Sequence, residues 1–216
     1  MSNVSQNISN LLIIFSNTSI NSITQGNAGL LYGTVSDGTT FMTSLQICMN
    51  QANGNLYGFA LLTNALTASL QIGNASITGF LNGSNQTLSG VLVAYMESSV
   101  VSIANVSSSI NVINYQYAGF LADIVGVNAS LTNVNISGVW SFVMNFAQGG
   151  TCGMMDSGAN LSLLRVSDNI SILTKQQNSS GAHNYSSVGV WIGMAQNLVF
   201  YISIVNCTSY FSTNYS

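Results

Sequence analysis

Apolar and polar side chains alternate along most of this chain. Leu70-Gln71-Ile72, Val101-Ser102-Ile103, Leu131-Thr132-Asn133-Val134, Leu161-Ser162-Leu163 and Tyr201-Ile202-Ser203-Ile204 follow a two-residue period, as a strand with one buried face requires. A further short strand follows each of these runs, as at Ser109-Ile110-Asn111-Val112-Ile113 and Gly138-Val139-Trp140-Ser141-Phe142-Val143. No window carries the 3.6-residue stripe of an amphipathic helix, and β-branched residues are spread throughout.

The strands come in units. Ala28-Gly29-Leu30-Leu31-Tyr32-Gly33 has counterparts at Tyr57-Gly58-Phe59, Ser89-Gly90-Val91, Ala118-Gly119-Phe120, Cys152-Gly153-Met154 and Val188-Gly189-Val190-Trp191-Ile192-Gly193. The glycines are 29, 32, 29, 34 and 36 residues apart, a period that marks stacked supersecondary units. Three short strands in every unit, each lying on its equivalent in the next, predict an all-β chain folded as a parallel β-solenoid, or β-helix, of about six coils. A β-sandwich is the alternative reading, although its strands have no reason to recur in threes with a glycine in fixed phase. Residues 1–27 lack the opening glycine and read as an N-terminal partial coil, cap or exchanged arm; residues 28–216 form the repeat domain.

The Gly-apolar-apolar-apolar-Gly opening at Gly29 to Gly33 and Gly189 to Gly193 resembles the GLUG-type repeats of bacterial and protist surface proteins. The other four units lack the second glycine. That resemblance implies an extracellular or cell-surface repeat protein of solenoid type and brings no family-wide chemistry.

Charge changes the picture most. Only 3 % of the 216 residues are charged, with 2 basic and 5 acidic side chains, while 47 % are hydrophobic and proline is absent. Nucleic-acid binding is excluded as a function class, because it needs clustered Lys and Arg to neutralise phosphates. Enough apolar material is present for a core. The folded surface must then be wetted by Asn, Ser, Thr and Gly, or by sugars attached to them.

The asparagines are organised accordingly. Of 27 in the chain, 15 open an Asn-x-Ser/Thr triplet, where the Ser and Thr content gives roughly six by chance. Asn74, Asn105, Asn135, Asn169 and Asn206 follow the unit glycines Gly58, Gly90, Gly119, Gly153 and Gly189 by 16, 15, 16, 16 and 17 residues. They read as a column of N-glycan acceptors, one per coil. A hydrogen-bonded asparagine ladder is the competing reading of the same recurrence. Asn3, Asn7, Asn17, Asn82, Asn85, Asn128, Asn160, Asn178, Asn184 and Asn214 are further acceptors, placed mostly at the termini and in connecting loops.

Other chemistry is sparse. Cys48, Cys152 and Cys207 have no CxxC spacing and read as small buried apolar side chains. Asp37, Glu97, Asp123, Asp156 and Asp168 stand at different depths behind their glycines, so no paired acid and base of a polysaccharide-cleaving solenoid is expected. His183 and Ser186 lie in a loop of Gln, Asn and Ser, and calcium between Asp156 and Asp168 lacks the Gly-Gly-x-Gly-x-Asp pattern. No catalytic residue, cofactor or metal site is assigned. Trp191, Phe200, Tyr201, Tyr210, Phe211 and Tyr215 cluster towards the C-terminus and read as core or as cross-strand pairs.

Leu11-Leu12-Ile13-Ile14-Phe15 is too short to span a bilayer, and no signal peptide is recognisable, which suggests a piece of a longer secreted precursor. The expected function is therefore a structural extracellular or cell-surface glycoprotein module. It carries covalent N-glycans and stacks head to tail into a fibre or array. A surface adhesin, or another glycan- or ice-binding solenoid, is the alternative.

Overall fold

The computed structural model describes residues 4–15, 18–21, 27–55, 58–83, 88–113, 117–142, 147–174, 187–197 and 201–215. Along them run β1 (Val4–Phe15), β2 (Thr18–Asn21), β3 (Asn27–Ser36), β4 (Gly38–Asn55), β5 (Gly58–Leu66), β6 (Ser69–Gly83), β7 (Leu88–Glu97), β8 (Val100–Ile113) and β9 (Tyr117–Val125). The second half continues with β10 (Asn128–Phe142), β11 (Ala147–Gly149), β12 (Cys152–Asp156), β13 (Asn160–Leu164), β14 (Ser167–Thr174), β15 (Ser187–Gly189), β16 (Ile192–Ala195), β17 (Tyr201–Val205) and β18 (Thr208–Tyr215).

These strands build two sheets. The first runs β1-β4-β6-β8-β10-β13-β17, with β14 and β18 continuing the outer tiers; the second runs β15-β11-β9-β7-β5-β3, extended by β12 and β16. Successive strands of each sheet alternate in sequence with strands of the other, and the pairings within both sheets are parallel. The chain is a β-solenoid, and the sandwich does not describe it.

Alternation fixes which side chains enter the interior. Met42, Ile72, Ile103, Leu131 and Leu163 stand on one another in register, each at most 3 % exposed. The residues between them, such as Gln71, Ser102 and Ser130, face water. Every such stack removes an aliphatic side chain from water at each tier, at about 1.5–3 kcal/mol apiece. Trp140 and Phe120 complete the interior and are fully buried. The Trp140 indole Nε1 donates to Ile110 O at 3.1 Å, one tier below.

Three-strand units are realised with two of the strands fused. In β4, β6, β8 and β10 the two segments of the first sheet run on as one strand bent in its middle, whereas β13 and β14 separate at Arg165.

The glycine phase needs correction. Gly90 pairs with Gly119 and Gly149 with Gly189, while Gln148 pairs with Ala118, so the column is Gly90-Gly119-Gly149-Gly189. Gly153 is not in it. Gly29 and Gly58 sit opposite Ala60 and Leu88 instead. Close backbone approach explains the column: a Cβ at Gly90, Gly149 or Gly189 would collide with the carbonyl oxygen of Val93, Cys152 or Ile192, where the chain buckles back on itself. Only glycine leaves that space open.

Candidate functional site

Each bent strand of the first sheet turns at one residue in the left-handed conformation. Asn10, Ser44, Asn74, Asn105, Asn133, Arg165 and Asn206 have φ between 52° and 56°. The residues on either side of them pair in register from β1 to β18, so the seven form one corner running the length of the stack. Left-handed backbone costs most residues about 1–2 kcal/mol, and asparagine tolerates it best after glycine. The next residue (Leu45, Ala75, Val106, Val134 or Val166) drops into the core, and the corner side chain is left outside.

Stacking then brings the amides together. Asn105 Nδ2 donates to Asn74 Oδ1 at 3.2 Å, and Asn133 Nδ2 donates to Asn105 Oδ1 at 3.0 Å. A second pair lies at the start of the strands, where Asn160 Nδ2 donates to Asn128 Oδ1 at 2.7 Å. Asn160 Oδ1 in turn accepts from the Tyr201 amide at 3.1 Å.

The corner differs from the expected acceptor column. Asn74, Asn105 and Asn206 belong to it, but Asn135 and Asn169 do not; Asn133 and Arg165 hold their tiers. Asn135 stands with Ser76, Ser107 and Ser167, and Asn169 with Thr78, Ser109 and Ser137, on the outer face beyond the corner. All five are exposed. Asn7, Asn82, Asn128, Asn160 and Asn214 lie within strands, not in loops; Asn7 and Asn128 are exposed and Asn160 is half-buried. Asn3, Asn17, Asn85, Asn178 and Asn184 fall outside the described residues, as do His183 and Ser186.

The carboxylates are less scattered than their depths suggest. Tyr95 Oη donates to Glu97 Oε2 at 3.1 Å. Burial, that bond and the fields of Glu97, Asp123 and Asp156 together push the Tyr95 phenol up to about 12. Asp123, beside Tyr95 in the ladder, is raised to about 7 by burial and by Asp156. Asp156 is held low by hydrogen bonds, first from the Asn197 side chain and then from Ser157 Oγ at 3.0 Å and Ser157 N at 2.6 Å. Asp168 is separate and fully buried, and neither of its oxygens has a hydrogen-bond partner among the described residues. Burial raises it to about 7.

Among the described residues no group of three or more His, Cys, Asp or Glu side chains is arranged to hold a metal ion. Cys152 is buried, but Cys48 and Cys207 are only half-buried, so the expectation of three core thiols holds for one. No helix among the described residues is long and apolar enough to cross a membrane.

The two ends of the stack are the remaining feature. Strand β1 closes one end of the first sheet, and β17 with β18 closes the other. Leu12 and Ile14 on β1 are 60 % and 58 % exposed, and Tyr201 and Tyr210 at the far end are 65 % and 74 % exposed. Ile204 is 44 % exposed, although Leu163 in the tier beneath it is fully covered. Such strand edges offer unpaired backbone donors and acceptors as well as apolar surface. No family model matches this chain, and neither a curated protein nor a solved structure matches it.

Proposed function

We propose that this chain is a structural, N-glycosylated module of an extracellular or cell-surface assembly, which stacks head to tail through the ends of a solenoid of about six coils. The observation that carries the reading is the exposure of apolar side chains on the terminal tiers, Leu12 and Ile14 at one end and Tyr201, Ile204 and Tyr210 at the other. A chain with 3 % charged residues offers little charge repulsion against such contact. The contact is heterologous, since the two ends differ, and it propagates a fibre or array instead of closing a dimer. Similarity to GLUG-type surface repeats and the excess of Asn-x-Ser/Thr triplets support the extracellular placement.

Sedimentation and electron microscopy of the purified chain across a concentration series test the assembly. Elongated particles whose length grows with concentration are expected; monodisperse monomers throughout would overturn the reading. Intact mass before and after enzymatic sugar removal tests the glycans, in material made by a cell with N-glycosylation machinery.

One observation favours a second reading, a glycan-binding adhesin. A shallow trough of about 290 Å³ crosses the outer face of the first sheet, lined by Val100, Ser102, Asn128, Ser130, Asn160 and Tyr201 among others. Binding of a glycan that is lost in Tyr201→Ala while assembly survives would favour the adhesin.

A further inference from the structure

The outward columns of the first sheet change character at the ends. Leu12 stands in register with Gln46, Ser76, Ser107, Asn135, Ser167 and Thr208. Ile14 stands with Cys48, Thr78, Ser109, Ser137, Asn169 and Tyr210. Through the middle of the stack these positions are polar or small, as a wet face demands. In these two columns large apolar side chains enter only at the outermost tiers, while Val100 and Val139 are exposed mid-stack on other outward columns.

The two terminal tiers also share a spacing. On β1 the left-handed corner Asn10 lies five residues after Ser5 and four before Ile14; at the other end Asn206 lies five after Tyr201 and four before Tyr210. Their φ angles are 54° and 52°. A strand carrying one pattern therefore fits a strand carrying the other with no slip, by the same parallel ladder that joins each tier to the next inside the molecule.

From this we infer the register of the contact between copies, a step that rests on the end-to-end reading: β1 of one copy pairs parallel to β17 and β18 of the preceding copy. Ser5 lies on Tyr201, Ile8 on Ile204, Asn10 on Asn206 and Ile14 on Tyr210. The occupant of each end is thus a second copy of this chain. The interior column ending at Ile204 continues into Ile8, the corner continues from Asn206 to Asn10, and Ile14 covers Tyr210 on the outer face.

Disulfide trapping tests the register. Directly paired residues of adjacent parallel strands lie about 4.8 Å apart, within the range a disulfide spans. Within one copy Ile14 and Tyr210 are six ladder steps apart, roughly 29 Å at that spacing, so a bond between them can only join two molecules. The Ile14→Cys/Tyr210→Cys variant, made like its controls in a Cys48→Ser background because Cys48 is paired with residue 14 in the same copy, is oxidised at a concentration where particles form and is expected to give a ladder of covalent multimers on a non-reducing gel. Leu12→Cys/Tyr210→Cys, displaced by two residues, is expected to give less than a tenth of that yield, and the Cys48→Ser parent reports the background from Cys207. Equal yields from the two pairs, or no multimers from the first while wild type still forms particles, would overturn the register and leave end-to-end stacking standing. Wild type that stays monomeric would overturn both.

Discussion

Asn105 Nδ2 donates to Asn74 Oδ1 at 3.2 Å across 31 residues of sequence, because both residues turn their strands through the same left-handed corner. One side chain thus serves backbone conformation and tier-to-tier adhesion together. Asn105→Gly keeps the conformation and removes both ladder bonds, and is expected to cost about 1 kcal/mol. Asn105→Val adds the left-handed penalty of a β-branched side chain and is expected to cost about 2–4 kcal/mol. Thermal unfolding separates the two, at about 2–4 °C per kcal/mol for a chain of this size. Equal losses would show that the corner does not depend on asparagine.

How far this was legible in the sequence depended on which signal was followed. Period-two alternation at Leu70-Gln71-Ile72 or Leu161-Ser162-Leu163 names the interior residues correctly, since it rests only on the geometry of a strand. The column assignment failed in part because coil lengths vary. Arg165 stands 16 residues behind Gly149, as Asn169 does behind Gly153, and nothing local tells the two glycines apart. Asn133 lies two residues before Asn135, and only the latter opens a glycosylation triplet, so the triplet signal points to the wrong residue for the corner. A better signal was present: Asn or Ser followed at once by an apolar residue, at the end of an alternating run, marks Asn10, Ser44, Asn74, Asn105 and Asn133. Arg165 carries no such signal, and its corner is imposed by the tiers above and below. The proximity of Tyr95, Asp123 and Asp156 was invisible because it depends on register in the second sheet.

The glycine column gives a contrast between two substitutions of the same kind. At Gly90 a Cβ meets the Val93 carbonyl, which is backbone and cannot rotate away; at Gly73 the nearest atom is Thr43 Cγ2 at 3.8 Å, an ordinary contact. Gly90→Ala is expected to destabilise by more than about 3 kcal/mol through forced backbone movement. Gly73→Ala should change stability by less than about 1 kcal/mol in either direction. Urea unfolding of the two variants beside wild type is the check, and comparable midpoints would contradict the buckle as the reason for the column.

Burial of Asp168 and Asp123 makes stability depend on pH in the direction opposite to that of a chain held together by salt bridges. Both carboxyls are raised from 3.8 to about 7 in the fold. The native state therefore holds protons that the unfolded chain has released between those values, and stability falls as pH rises through the window. The contribution is complete below about pH 3.8 and gone above about pH 7. For fully buried Asp168 the loss is on the order of 4 kcal/mol. Asp156, whose pKa is lowered, acts in the opposite sense only below that window. Unfolding free energies from pH 4 to 8 should decline in wild type and decline less steeply in Asp168→Asn, which stays neutral throughout. A wild-type profile that rises towards neutrality would refute the assignment.

Glycan occupancy follows from the same left-handed corner. Sequons at Asn74 and Asn105 sit on adjacent tiers, about 4.8 Å apart, with their amides already in hydrogen-bonding contact. A sugar ring on each Nδ2 needs more lateral room than one tier provides. If both asparagines are acceptors, a single folded molecule is expected to carry sugar on one or the other. Asn206, four tiers beyond Asn74 along β8, β10, β13 and β17, has no such neighbour among the sequons of the corner and fills independently. Glycopeptide mass spectrometry on a proteolytic fragment spanning both Asn74 and Asn105 should show singly glycosylated species and almost none doubly glycosylated. Removing one acceptor by Asn74→Gln should raise occupancy at Asn105, whereas full double occupancy would mean that the sugars are added before the tiers stack and that the corner opens to hold them.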